Sequence, residues 1–467
     1  MKMLVSGRSL QILCACTFCA VALLATHVLK HPIIAVVLAL APFGLLVVVK
    51  RPFWLILGFV IFSFFRIHEV FPQLYPLRIP QLLALASIMA IGWAILSGRL
   101  ALKISREHAT FLVFFALVTV GLMFATNRGA AMGNWTGSYV KIAIMTFAIT
   151  WLATGPRDFR LTAWVVIAAG IIVAAVALHN KANGLELVEG TRVTIGRSIG
   201  SMLGDPNDLS LVLLFPASFA LALLLTRGSG WASKLYGLIA FCLIVAAVIA
   251  TQSRGGLLGI LAVSGVFGYR LVRNKVLLFA VGGVALMVLV AAAGISSRAS
   301  GGAHEEGIDE SAMGRIYAWQ AAMSMAVHNP VTGVGLDNFI ENYWEHSPHW
   351  DGKNHAVHST WFGVLGETGL VGFIAFVTMV VVTVRSALWC CSVLKPDPGT
   401  RPGRDEVAAY VMAQAVLSGL AGFCVSGTFL TMGFTWPVYV LLALTAAVAN
   451  YARQKRLSYC DNNIKNQ

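Results

Sequence analysis

Charge is what this sequence has least of. Only 12% of its 467 residues are Asp, Glu, Lys or Arg, against about a quarter in soluble domains, so a soluble core of this make-up would have no surface to cover it. No stretch is polar enough to form a separate soluble domain. Cysteine is sparse as well. Cys14, Cys16, Cys19, Cys242, Cys390, Cys391, Cys424 and Cys460 fall mostly within or at the ends of apolar runs, which argues against a disulfide framework or a structural metal site. No clear A-x-A cleavage site follows the first apolar run, so it reads as a span and not a secretory leader. No convincing internal duplication is visible.

What is present is hydrophobicity, 58% of the chain. Apolar segments lie near residues 9 to 28, 32 to 49, 52 to 65, 79 to 97, 109 to 126, 137 to 154, 160 to 179, 208 to 226, 232 to 250, 255 to 271, 275 to 294, 359 to 385, 406 to 428 and 432 to 451. A helical span needs roughly twenty residues, and some of these are short, so an all-α bundle of twelve to fourteen spans is expected. With the N-terminus in the cytoplasm, 22 Lys and Arg fall in inside loops and 11 outside, leaving Lys141 in a span near its outer end. Retention of positive charge inside therefore predicts that both termini are cytoplasmic. The formal charge of +14 is then mainly an orientation signal, with no nucleic-acid partner implied. The expected organisation is helices over residues 1–294 with an outer loop at 180–207, a larger outer loop at 295–358, helices over 359–451, and a cytoplasmic tail at 452–467.

Chemistry should therefore be external. The large loop holds eight acids and six of the eleven histidines, which makes Arg315 unusual there. Ser311 can cap a helix in which Ile316, Trp319, Met323 and Ala326 recur at helical spacing, with Asn329-Pro330 as its stop. This reads as an amphipathic helix at the outer interface, with Arg315 one turn from Trp319. Gly333-Val334-Gly335 is a tight turn. If Asn354 caps the next span, His355 and His358 share a helix face at the membrane edge. They could be zinc ligands, a general base or ordinary interfacial polar groups. Glu367 would lie about 13 Å further along that helix, within the apolar layer, as either a functional carboxylate or a packing pair.

In the shorter loop, Asp205 as N-cap with Pro206 at the first helical position accounts for residues 205–208, including Asn207, by capping alone. Arg192 and Arg197 lie where positive charge is scarce, and Arg254 sits in a tight turn, Thr251-Gln-Ser-Arg254-Gly-Gly. Arg197, Arg254 and Arg315 can converge on one outer mouth near His358. Guanidinium forks suit diphosphate oxygens. A lipid-linked diphosphate leaving group needs cations more than a general acid, and an acceptor hydroxyl needs a base. Neither a metal nor a nucleotide cofactor is required by that chemistry.

Thr251-Gln-Ser-Arg-Gly-Gly, Gly314-Arg315 with Trp319, Asn329-Pro-Val-Thr-Gly333-Val-Gly335, His355-Ala-Val-His358-Ser and Glu367-Thr-Gly369-Leu-Val-Gly372 occur in that order around the large loop. The succession resembles the O-antigen ligase and polymerase family of bacterial membrane glycosyltransferases. The resemblance implies metal-independent, inverting transfer of a glycan from undecaprenyl diphosphate at the periplasmic face of the inner membrane. By the same resemblance His358 looks like the base, and Arg197, Arg254 and Arg315 look like diphosphate contacts. Arg192, His355, Trp319, Asp205, Asn207, Lys141 and Glu367 are the expected substrate-binding surroundings. One outer loop of 64 residues against one of 28 leans toward a ligase that acts on lipid A-core. A polymerase or a protein O-glycosylating ligase of the same family remains, and so does a secondary transporter, which would need paired midplane sites.

Overall fold

The computed structural model describes residues 44, 50–98, 100, 102–293, 310–397 and 399–465. The apolar segments read at 9 to 28 and, apart from residue 44, 32 to 49 lie outside these residues, as do Glu305, Glu306, Asp309 and the side chain of Ser311.

The described chain is nearly all helical. Its helices are α1 (Pro52–Phe64), α2 (Ile67–Val70), α3 (Ile79–Leu96), α4 (Arg106–Gly121), α5 (Arg128–Asn134), α6 (Val140–Leu152), α7 (Pro156–Ala182), α8 (Pro206–Leu225), α9 (Trp231–Thr251), α10 (Arg254–Leu271), α11 (Lys275–Ala292), α12 (Glu310–His328), α13 (Tyr343–His346), α14 (Thr360–Val393), α15 (Arg404–Ser426) and α16 (Trp436–Lys465). A two-stranded antiparallel ribbon, β1 (Leu187–Val188) and β2 (Arg192–Val193), lies between α7 and α8. Seven helices among the described residues are long and apolar enough to cross a membrane: α3, α7, α8, α9, α11, α14 and α15. At 13 residues α1 is apolar but shorter.

Packing is organised around α8 and α15, which are the most deeply buried of these. Small residues let the backbones close in. A Cβ at Gly170 of α7 would come within 2.3 Å of Pro216, at Gly237 of α9 within 2.6 Å of the Ala220 carbonyl, and at Gly256 of α10 within 2.5 Å of Ser210. The last contact brings the first turns of α8 and α10 side by side.

The course of α14 departs from the expected single span. Gly369 breaks it with φ 67° and ψ −172°, a conformation essentially confined to glycine. The Trp361 and Phe376 rings stand 5.8 Å apart, whereas continuous helix between them would separate them by about 22 Å. The two limbs, 360–368 and 370–393, are therefore folded back on each other. The break frees backbone groups that must find other partners, and the loop after α12 supplies them. The carbonyl of Pro330 accepts from Leu370 N at 2.8 Å and Val371 N at 3.4 Å, while Val334 N and Gly335 N donate to the carbonyls of Gly366 and Glu367, both at 3.0 Å. This corrects the expectation that Glu367 lies deeper than His358 along one span. Glu367 lies beside the Gly369 turn, and His358 precedes the opposite end of the short limb, where Trp361 meets Phe376 of the long limb.

The buried face of α12 is also corrected. Ala318, Ala321, Ala322 and Met325 are buried, whereas of the expected face Ile316 and Met323 are exposed, Trp319 is partly buried against the same cluster and Ala326 is buried. The cause is close approach: a Cβ on Gly366 would stand only 3.4 Å from Ala322 Cα and Met325 Sδ. Alanines fit that interface where larger side chains would hold the helices apart.

Candidate functional site

Helix α14 begins at Thr360, with Ser359 as N-cap accepting from Phe362 N. Asn354 is not the cap, and residues 354–359 form a non-helical strap, so His355 and His358 do not share a helix face. Thr360 pins the strap's end: its hydroxyl donates to the Leu430 carbonyl at 2.7 Å and accepts from Met432 N at 3.1 Å. His358 itself has φ 46°, a left-handed conformation that costs a non-glycine residue on the order of 1–3 kcal/mol. The residue is open to solvent on one side. Loss of hydration there, followed by the Arg315 charge, holds its pKa below the ordinary 6.5, with Asp205 acting in the opposite direction and His355 adding to the lowering. His358, Arg315, Asp205 and His355 therefore share one electrostatic environment.

The remaining cations connect to it. Arg315 lies 5.9 Å over the Phe429 ring. The same Phe429 side chain backs Gly255, where an added Cβ would meet it at 3.3 Å. Gly255 follows Arg254, the exposed first residue of α10, whose N-cap Ser253 accepts from Gly256 N at 3.2 Å. Asp205 caps α8 as expected, accepting from Asn207 N at 2.7 Å and Asp208 N at 3.2 Å. Arg197 stands in the turn just before it. Its Nη1 donates to the Gly204 carbonyl at 3.3 Å, and its Cα lies so near Gly204 that a Cβ there would come within 2.9 Å. Two helix N-termini, which carry partial positive charge, thus meet beside Arg197, Arg254, Arg315 and His358.

The other expected contacts divide. Arg192 is buried, donating from Nε to the Thr251 carbonyl at 3.2 Å and from Nη2 to Asn207 Oδ1 at 2.9 Å. It ties β2 to the turn before α10 and to the first turn of α8, and Asn207 is engaged in the same tie. Trp319 stacks on Phe362 at 5.0 Å and its buried indole N–H makes no hydrogen bond. His355 pairs with Asp351 at 3.0 Å and meets Tyr343 edge-on. Glu367 is buried and accepts from Asp337 N at 3.0 Å, so its side chain holds the loop that covers the Gly369 break. Lys141 is exposed in the first turn of α6 and makes no hydrogen bond or ion pair with a described residue.

Sequence reasoning missed Phe429, which joins Arg315 to the turn of Arg254, and the backbone break at Gly369. A glycine every third residue gave no sign of which one breaks the helix. Among the described residues, no cluster of three or more His, Cys, Asp or Glu side chains could hold a metal ion.

Residues 238–377 match the family model described as O-antigen ligase. The match takes in 140 of the 467 residues and makes this part of the chain similar to that family. The matched O-antigen ligase segment takes in Arg254, Arg315, Trp319, His355, His358 and Glu367, and leaves Lys141, Arg192, Arg197, Asp205 and Asn207 outside. Over 303 residues the chain is 27% identical to the exopolysaccharide production protein ExoQ of Rhizobium meliloti (strain 1021). That similarity covers 60% of this chain and 66% of the relative, just short of two thirds of its length.

Proposed function

We propose that this chain is a membrane glycosyltransferase that moves a glycan from a polyprenyl diphosphate carrier, undecaprenyl diphosphate by the family resemblance, to an acceptor hydroxyl at the outer face of the bacterial inner membrane. The observation that carries the reading is the meeting of Arg315 and His358 with the N-termini of α8 and α10, where Arg197 and Arg254 are also exposed. An anion placed there gains from the helix ends and from guanidinium forks together.

In this reading the acceptor oxygen attacks the anomeric carbon as the carbon–oxygen bond to the diphosphate breaks, inverting that carbon. The acceptor proton passes to His358, and the electron pair of the broken bond leaves on the diphosphate, where the arginines stabilise it. A histidine with a lowered pKa is neutral near pH 7 and so ready to accept that proton. The chemistry needs no metal, and transfer is expected to persist in chelator.

The preferred acceptor is lipid A-core, which makes the chain a ligase. A second reading has a specific observation in its favour: the relative is named for exopolysaccharide production, which suits a polymerase adding glycan to glycan. Reconstitution in liposomes with carrier-linked glycan and each acceptor separates them. Modified lipid A-core supports the ligase. Lengthened glycan with untouched lipid A-core replaces it with the polymerase, and transfer lost in chelator and restored by zinc or magnesium overturns the metal-free step.

A further inference from the structure

Arg197 is the one proposed diphosphate contact that sits outside any regular helix of more than a single turn. The loop that carries it, residues 196–204, is gripped at two points by carboxylates, one 11 residues before Arg197 and one 132 residues before Ser201. At the near end, Glu186 accepts from Arg197 N at 2.6 Å through Oε2 and from Ser198 Oγ at 3.2 Å through Oε1. At the far end, Glu69 accepts from Ser201 Oγ at 2.6 Å through Oε2. Its other oxygen takes Arg66 Nη1 at 2.7 Å, and His68 Nε2 lies at 3.5 Å. Glu69 is only 6% exposed, and a buried carboxylate is tolerated only when it is paired and hydrogen-bonded.

The two grips close on one another. Ser201 Oγ in turn accepts from Leu203 N at 3.1 Å, and Ser201 N donates to the Gly196 carbonyl at 3.0 Å. Gly196 and Gly200, both in the left-handed region, let the loop turn tightly around Arg197. The Glu69 carbonyl backs the loop where a Cβ on Gly196 would meet it at 3.5 Å.

We propose that Glu69 and Glu186 are positioning residues that hold the 196–204 loop so that Arg197 faces the mouth shared with Arg315 and His358. This rests on the reading of Arg197 as a diphosphate contact. Neither carboxylate is placed to touch substrate in this scheme; both act through the loop. Glu69 comes from α2 and Glu186 from the residue before β1 in the same outer segment as Arg197, so the clamp ties α2 to the segment that carries this cation.

The test uses Ser201→Ala and Glu186→Gln, which leave the buried Glu69–Arg66 pair intact, in the full-length protein in liposomes. A nitroxide at Ile199→Cys, an exposed position, reports loop motion in a background freed of other reactive cysteines. Both variants are expected to sharpen the label's spectrum. Each is also expected to lower kcat/KM for the carrier-linked glycan by about ten- to a hundredfold, the usual scale for a misplaced binding group. In an Arg197→Ala background the same substitutions should add no further loss, since residues acting through one group are non-additive. An unchanged spectrum overturns the clamp, and a full additional loss in the Arg197→Ala background overturns positioning through Arg197. Arg197→Ala with unimpaired transfer would instead sink the functional reading of Arg197, and the label would still report whether the loop is held.

Discussion

The two ends of this bundle use charge differently. At the end bearing the start of α4, charge is answered by charge. Glu107, fully buried, accepts from Arg453 Nη2 at 3.0 Å and from Ser386 Oγ, Arg160 meets Asp405 at 2.9 Å and Lys455 meets Glu406 at 3.0 Å. At the other end ion pairs also form, Arg66 with Glu69 at 2.7 Å and His355 with Asp351 at 3.0 Å, but Arg197 and Arg254 are exposed, Arg197 bonds a carbonyl, and Glu186 and Glu367 accept from loop backbone or hydroxyl groups. A closed ion pair cancels much of its own field and serves the fold. In the proposed reading, exposed guanidiniums near helix N-termini direct part of their field toward a ligand anion.

The sharpest way to break this comparison is to substitute one residue at each end. His358→Ala is expected to reduce transfer by about 10²–10⁴-fold, and Arg254→Ala by about 10²–10³-fold, in proteoliposomes with little change in thermal unfolding. Glu107→Ala should do the reverse. Because Arg453 retains 36% exposure and can turn to water, the loss is expected at about 1–3 kcal/mol of stability, read as a lower unfolding midpoint, with kcat near that of the parent.

Backbone should matter as much as charge at the active end. Gly369→Ala forces a Cβ to within 2.6 Å of the Pro330 carbonyl in a region of φ and ψ that alanine avoids, at a cost of at least about 1–3 kcal/mol. Proteolysis should then open the loop after α12 first. A helix that straightens without penalty would contradict the folded-back limb.

A finer test is the acid limb of the pH profile of kcat/KM. The His358 limb should lie below 6.5, because partial loss of hydration and then Arg315 both oppose its positive form. Arg315→Met removes an opposing charge and should move the limb upward. Asp205→Asn removes a favouring charge and should move it downward. Opposite signs would separate His358 from both neighbours. The smallest effect is expected at Lys141, where Lys141→Ala should change transfer by less than about twofold, as for an exposed side chain with no described partner.

Much of the helical layout was legible because apolar length is imposed by lipid, and helices from Pro52–Phe64 to Trp436–Lys465 overlie the runs read from hydropathy. The Asp205-Pro206 start of α8 was legible because capping is local. The face of α12 was not, since hydrophobic size was weighed and the interface instead selected alanine. Gly369 was hidden among glycines at equal spacing, its break decided by the carbonyl of Pro330 and the amides of residues 334 and 335. The Glu69–Ser201 contact joins residues 132 apart, and no spacing rule announces such a pair.

The most direct measurement is release of the polyprenyl diphosphate carrier from glycan-charged liposomes, counted against glycan appearing on the acceptor, for the parent and His358→Ala. One carrier diphosphate freed per glycan transferred, with both lost together in His358→Ala, is the expected result. Glycan moved across the bilayer with its carrier bond intact, or transfer undiminished without His358, would contradict glycosyl transfer at this mouth.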